Sequence, residues 1–74
     1  GTGEIEKSID CFEKAIKYNP NYTLAYYNCG RAYEAYGSNT TAAEFYQMAY
    51  DLNVITEELN AREIEDRLYH LFDA

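Results

Sequence analysis

Residue types recur along this chain at a spacing of 34 positions. The matching pairs include Gly3 and Gly37, Ala15 and Ala49, and Asn19 and Asn53. A period of this length is typical of helical hairpins that stack side by side. One such hairpin cannot bury its own apolar face, so neighbours share a core and leave a common groove rather than a reactive pocket. The sequence therefore predicts a binding scaffold.

The first helix is indicated by apolar residues that alternate at intervals of four and three. They are Ile5, Ile9, Phe12 and Ile16. This spacing puts them on one face of an amphipathic helix, which we expect over residues 4–18. Asn19 and Pro20 should end it, because Asn tolerates the left-handed conformation and the residue before Pro disfavours helix.

A second helix is expected over residues 22–36 and a third over residues 40–52. Gly37 should end the second, because glycine readily adopts the left-handed conformation of a helix C-cap. Ser38 and Asn39 are two possible N-caps for the third helix. We predict an all-α fold, in which about four helices form antiparallel hairpins stacked as a short solenoid.

A fourth helix is expected over residues 57–72. Thr56 is its predicted N-cap, and Glu57 and Glu58 would lie in its first turn, near the positive end of the helix dipole. Its apolar residues form a single stripe of Ala61, Ile64, Leu68 and Leu71. A helix with one apolar face and one polar face is suited to the end of a stack, so we predict a capping helix.

The second helix has a face that its expected packing surfaces do not use. Projected at about 100° per residue, Tyr26, Gly30 and Tyr33 fall near one side and small residues extend it towards a second neighbour. The remaining arc, which mixes apolar, polar and charged types, includes Leu24, Tyr27, Asn28, Arg31 and Glu34. A solvent-facing groove tolerates such a mixture better than a core does, so this arc is our candidate partner-binding site.

The composition argues against several partners and environments. A formal net charge of -7 makes nucleic acid an unexpected partner. We expect no membrane association, because no apolar run in the sequence is long enough to cross a bilayer. Cys11 and Cys29 lack the spacing of a zinc site or a disulfide framework. We therefore expect free thiols and a reducing, cytoplasmic location.

The sequence offers no convincing catalytic or metal site. Asp66 and His70 share a helix face at i,i+4, but no second set of ligands accompanies them. Glu63 and Arg67 have the spacing of an exposed ion pair on the same helix. No nucleophile is paired with a base, so we expect neither an enzyme nor a cofactor.

The pattern of large and small residues is similar to that of a known repeat. Residues 26–49 contain Tyr26-x-x-Cys29-Gly30-x-x-Tyr33, then Gly37, then Ala42-x-x-x-Tyr46-x-x-Ala49. This arrangement resembles the tetratricopeptide repeat, and residues 3–20 resemble the second half of that repeat. The resemblance divides a single domain, 1–74, into a half-repeat at 3–22, a full repeat at 23–56 and the capping helix.

The resemblance implies a right-handed stack whose concave side, lined by the front helix of each repeat, holds an extended peptide. It also implies that the chain is a fragment of a longer repeat array. Val54 stands where the family commonly has its closing Pro. The last helix is therefore expected either to leave at an unusual angle or to continue from the third. Ala61 and Glu65 stand where cations would complete a carboxylate clamp, so no such clamp is predicted.

Two functions remain open at the level of the sequence. In the first, the chain is a non-catalytic scaffold that binds an extended segment of a partner protein on the concave face. In the second, it is a self-association module that forms a homo-oligomer. Ile5, Ile9 and Cys11 would then contact another copy, because they lie on a first helix that has no preceding partner helix.

Overall fold

The computed structural model describes residues 2–72, and these residues form four α-helices without any strand. The helices are α1 Thr2–Tyr18, α2 Thr23–Tyr36, α3 Asn39–Thr56 and α4 Ala61–Phe72. The predicted all-α architecture is confirmed. The first three helices begin within two residues of the predicted positions, whereas α3 ends later and α4 begins later than expected.

Each helix packs against the next one along the chain. The hydroxyl groups of Tyr33 and Tyr36 in α2 donate to Glu13 and Glu6 in α1, at 2.6 and 3.2 Å respectively. Residue numbers fall along one helix as they rise along the other, so the pair is antiparallel. The Cα atoms span 34 × 34 × 15 Å, which makes the stack a flat slab with two broad faces.

The core lies where α2, α3 and α4 meet. Its buried members are Tyr27, Ala42, Tyr46, Ala49 and Ile64. Gly30 permits the close approach of α2 and α3, because a Cβ at this position would lie 2.7 Å from the ring of Tyr46 and 3.2 Å from the carbonyl oxygen of Ala42. Glycine inside a helix costs about 1 kcal/mol relative to alanine, and close packing offsets that cost here.

Gly37 ends α2 as predicted. Its φ is 101°, in the left-handed region, and its N–H donates to the carbonyl oxygens of Tyr33 and Glu34. The N–H of Ser38 also donates to the Tyr33 carbonyl oxygen, at 2.9 Å. These bonds satisfy carbonyls that a helix end would otherwise leave unpaired. The two-residue connection then turns the chain back into α3.

The connection between α3 and α4 differs from the prediction. Val54, unlike Pro, has an N–H and leaves the helix free to continue, so α3 extends through Thr56 and ends at Glu57, whose φ is 52°. Thr56 is therefore not the N-cap of α4. Asn60 caps that helix instead, because its side-chain oxygen accepts the N–H of Arg62 at 3.0 Å.

The later start of α4 gives Glu58 a different role from the predicted one. Its carboxylate accepts the N–H of Thr23 at 3.3 Å and so lies at the positive N-terminal end of α2 rather than of α4. The hydroxyls of Thr23 and Thr56 form a hydrogen bond of 2.6 Å beside it. The α3–α4 connection is thus attached to the start of α2.

Candidate partner-binding surface

The structure separates the five residues of the predicted binding arc by depth. Tyr27 is buried, with 4% of its surface exposed, and Leu24 is half-buried against the core. Asn28 and Glu34 are half-buried, and Arg31 is exposed. Only part of the arc is therefore accessible. A binding role for these residues remains a prediction.

Tyr27 does not face an open groove, so this part of the prediction is wrong. Its ring lies 5.6 Å from that of Tyr46 and belongs to the same buried cluster as Ile64 of α4. The guanidinium of Arg67 in α4 lies beside its hydroxyl. The fourth helix packs over this part of α2 because Ile64, its most buried residue, needs an apolar neighbour.

A groove remains between α2 and α4, with a volume of about 260 Å³. Its walls are formed by Arg31, Glu34, Ala35 and Arg67. Glu34 accepts a hydrogen bond of 2.8 Å from the hydroxyl of Tyr46, which holds one carboxylate oxygen towards the core. Within residues 2–72, Arg31 forms no salt bridge. Arg67 likewise forms no salt bridge within these residues, so the groove presents two guanidinium groups.

Arg67 is the residue of this groove that the sequence did not reveal. Its spacing from Glu63 predicted an exposed ion pair, but the side chain is half-buried and points at Tyr27. The neighbouring hydroxyl of Tyr27 raises the pKa of Arg67, so the group stays cationic. The one available signal was its place three residues after Ile64, on the same side of the helix.

Two further grooves lie at the ends of the stack. The α1–α2 groove, of about 270 Å³, is formed by Ile5, Ser8, Phe12, Asn28, Arg31 and Ala32. The α3–α4 groove, of about 510 Å³, is formed by Asn39, Thr40, Ala43, Glu44, Gln47, Leu68 and Leu71. Leu68 and Leu71, which the sequence assigns to the inward-facing stripe of α4, pack against the core and also line this second groove, which was not expected from the sequence.

The surface predicted for self-association is only partly available. Ile9 has 9% of its surface exposed, because α1 packs against α2, and it cannot contact another molecule as expected. Ile5 is half-buried at the edge of the α1–α2 groove, and Cys11 is exposed. Self-association through α1 would therefore use the groove edge rather than Ile9.

Tyrosine hydroxyls donate to glutamates between neighbouring helices. The pairs are Tyr33 with Glu13 at 2.6 Å, Tyr36 with Glu6 at 3.2 Å, Tyr46 with Glu34 at 2.8 Å, and Tyr50 with Glu65 at 3.0 Å. The bond to Glu13, together with burial, raises the pKa of Tyr33 to about 12. Such pairs satisfy the polar ends of aromatic side chains whose rings pack between helices.

The two cysteines are expected to react with thiol reagents at very different rates. Burial and the nearby Glu13 raise the pKa of the Cys29 thiol to about 12, whereas Cys11 is exposed. A disulfide reagent at pH 8 should modify Cys11 at once, because the thiolate is the nucleophile. Cys29 should react at about one hundredth of that rate or less.

Cys11→Ser should remove the fast phase, and urea should make both thiols of the parent chain fast. Equal rates for both thiols in the folded protein would show that Cys29 is not enclosed by the stack.

The described part of the chain shows neither a metal-binding cluster nor a membrane-spanning helix. Nowhere in it do three or more His, Cys, Asp or Glu side chains come together in an arrangement that could hold a metal ion. Among residues 2–72, each helix is too short or too polar to cross a bilayer.

A family model matches part of the chain. A model described as a TPR repeat covers residues 2–37, which span α1, the first connection, α2 and its C-cap glycine. No curated protein and no solved structure matches the chain. TPR repeats generally mediate protein–protein interactions. The matched repeat and the antiparallel stack of helices together support the assignment of this chain to the tetratricopeptide-repeat family.

Proposed function

We propose that this chain is a non-catalytic interaction module that binds an extended, acidic segment of a partner protein in the groove between α2 and α4. The observation that carries the proposal is that Arg31 and Arg67 line the same groove. The chain has six lysines and arginines in all, against thirteen acidic residues. Two cations in one groove of an acidic protein favour a carboxylate from outside.

The other groups in this groove are consistent with an anionic ligand. Glu34, its one acidic residue, already accepts the hydroxyl of Tyr46. Arg31 is exposed and can move towards a ligand, whereas Arg67 is half-buried beside Tyr27. Guanidinium groups bind carboxylates through two parallel hydrogen bonds, which would orient one acidic side chain between them.

Asn28 extends this surface along α2. It lies three residues before Arg31, and both residues line the adjoining α1–α2 groove. A side-chain amide both donates and accepts, so Asn28 can bond the backbone of an extended segment without selecting its sequence. Leu24 and Tyr27 support the groove from below in this proposal and do not contact the partner. The two free cysteines suit a reducing compartment, which we propose as the location.

Fluorescence anisotropy with two labelled peptides tests this proposal. One is a short peptide of alternating Ser and Glu, and the other has Gln in place of each Glu. The Glu peptide should bind more tightly, and added salt should weaken it, because charges at an open groove are screened. Arg31→Ala should weaken binding of the Glu peptide by about tenfold or more, the usual loss for a hydrogen bond between charged groups.

Arg62→Ala is the matched control. Arg62 is exposed on α4 and does not line the groove, yet its removal changes the net charge by the same amount. This variant should bind the Glu peptide nearly as well as the parent chain does. Equal affinity for the two peptides, or equal losses in the two variants, would show that no specific acidic segment binds between α2 and α4.

A further inference from the structure

The helices α1 and α3 are equivalent in the 34-residue repeat, but one face differs sharply between them. In α3 this face is fully buried, at Ala42, Tyr46 and Ala49. The counterparts in α1, which are exposed or half-buried, are Ser8, Phe12 and Ala15. The face that α3 uses to pair with its neighbour is therefore largely open in α1.

The packing of α3 shows what this face requires. Tyr46 packs on the backbone of Gly30 in α2, and the ring of Phe45 stacks on Tyr33 with 5.4 Å between centroids. The neighbour is thus an antiparallel helix that presents large apolar side chains at its edge. In α1 the equivalent face borders the α1–α2 groove, where Ser8 and Phe12 form one wall.

At the α4 end of the stack, the groove between α3 and α4 is also uncovered. The α4 helix lies beside α3 as α2 lies beside α1, and α3 in turn covers the next side of α2. Leu68 and Leu71 of α4, with Ala43 of α3, give the α3–α4 groove an apolar floor. No helix in the described part of the chain lies over this groove.

We propose that α1 of a second copy of this chain occupies the α3–α4 groove, so that molecules associate head to tail. In this arrangement α1 pairs with α4 of the preceding molecule as α3 pairs with α2 within one molecule. The open face of α1, at Ser8 and Phe12, then lies against Leu68 and Leu71. The half-buried side chains of both grooves become covered in one step.

The charges at the two surfaces are complementary. Glu44 is the charged residue that lines the α3–α4 groove. Lys7 and Lys14 lie on α1 one position before Ser8 and Ala15, on the flank of the open face, and Lys14 already pairs with Asp10 at 3.2 Å. Their counterparts in α3, Thr41 and Met48, lie beside the face that packs on α2. An inserted α1 would thus place Lys7 along the wall that carries Glu44.

This contact joins two different surfaces, and that determines the form of the assembly. A contact between unlike surfaces leaves one of each unused on every growing chain of molecules. Association should therefore continue beyond the dimer as concentration rises. A contact between two copies of the same surface would instead close at two molecules.

Sedimentation velocity over a wide concentration range, in about 0.15 M salt to screen the net negative charge, tests the proposal. The mean mass should rise steadily past that of a dimer. Ser8→Arg should prevent this growth, because a long charged side chain then replaces the counterpart of the fully buried Ala42. Asn21→Arg adds the same side chain at an exposed position between α1 and α2 and should associate like the parent chain.

A charge reversal examines the orientation of the contact. Lys7→Glu and Glu44→Lys should each raise the dissociation constant of self-association by about fivefold, the scale expected for an exposed ion pair. The two changes combined in one chain should restore it to within about twofold of the parent value. Circular dichroism of each variant, together with unchanged urea unfolding at low concentration, shows that the effect is not one of folding.

Three results would overturn the proposal: a monomer at every concentration, growth that stops at a dimer, or a combined variant that associates no better than the single ones. The two proposals can be tested separately, because Glu44 lines neither the α2–α4 groove nor the α1–α2 groove. The Glu44→Lys variant should still bind the Glu peptide if the proposed function is correct, whether or not the parent chain associates.

Discussion

Tyr46→Ala is expected to lower the free energy of unfolding by about 3–5 kcal/mol, the usual loss when a large core aromatic is truncated. Tyr46 is fully buried, packs on Gly30 and Tyr27, and donates its hydroxyl to Glu34. Its removal leaves a cavity where α2, α3 and α4 meet. A domain of this size has a total stability of only about 3–5 kcal/mol, so much of the variant should be unfolded at 25 °C.

The repeat supplies a matched control for this variant. Phe12 is the counterpart of Tyr46 in α1, but it is half-buried at the edge of the stack. Phe12→Ala should cost about 1–2 kcal/mol, since less apolar surface is removed from contact. Urea unfolding followed by circular dichroism measures both variants. Equal losses would mean that the core is not centred at the α2–α3–α4 junction.

Asn53→Ala is expected to lower the free energy of unfolding by about 2–4 kcal/mol. The buried side chain of Asn53 donates to the carbonyl oxygen of Leu59 at 2.7 Å and accepts the N–H of Leu59 at 2.8 Å. The two hydrogen bonds therefore hold the connection between α3 and α4 against the end of α3. Without the Asn53 side chain, both Leu59 groups lose their partner, and hydrogen exchange should become faster throughout α4 and its preceding connection.

Asn19→Ala is the control, because Asn19 occupies the same position of the repeat. It is exposed, and among the residues that the structure describes its side chain accepts one N–H, that of Asn21 at 3.3 Å. The expected loss is about 0.5 kcal/mol or less. Similar losses for the two asparagines, or unchanged exchange in α4 of the Asn53 variant, would contradict this role for Asn53.

Much of the fold could be predicted from patterns of residues that are close together in the sequence. The apolar spacing of α1 and the glycine at position 37 located the first three helices and the hairpin between α2 and α3. Both signals act over a few residues, so they are readable without knowing the partners. The absence of a proline at Val54 left the end of α3 open in the prediction, and the structure extends α3 by one turn. Thr56 was a poor guide to α4 because Asn60 offered a cap one turn later.

The binding surface was predicted less well from the sequence than the helices were. The projection of α2 put Arg31, which is exposed, in the same arc as Tyr27, which packs on Tyr46 of α3. It could not show that α4 covers Tyr27 and leaves Arg31 open, because the position of α4 depends on contacts with two other helices. Arg67 entered the groove for the same reason. Its partner Tyr27 is forty positions away in the sequence, far beyond any helical spacing.

The sequence by itself determined that this chain is a helical repeat, because a 34-residue period and helical spacing are properties of neighbouring residues. Only the tertiary structure decided how equivalent positions differ. Asn19 and Asn53, or Phe12 and Tyr46, are the same or similar residues in different surroundings. The physical reason is that burial depends on which helices lie on both sides of a position, and the two halves of this stack have different neighbours.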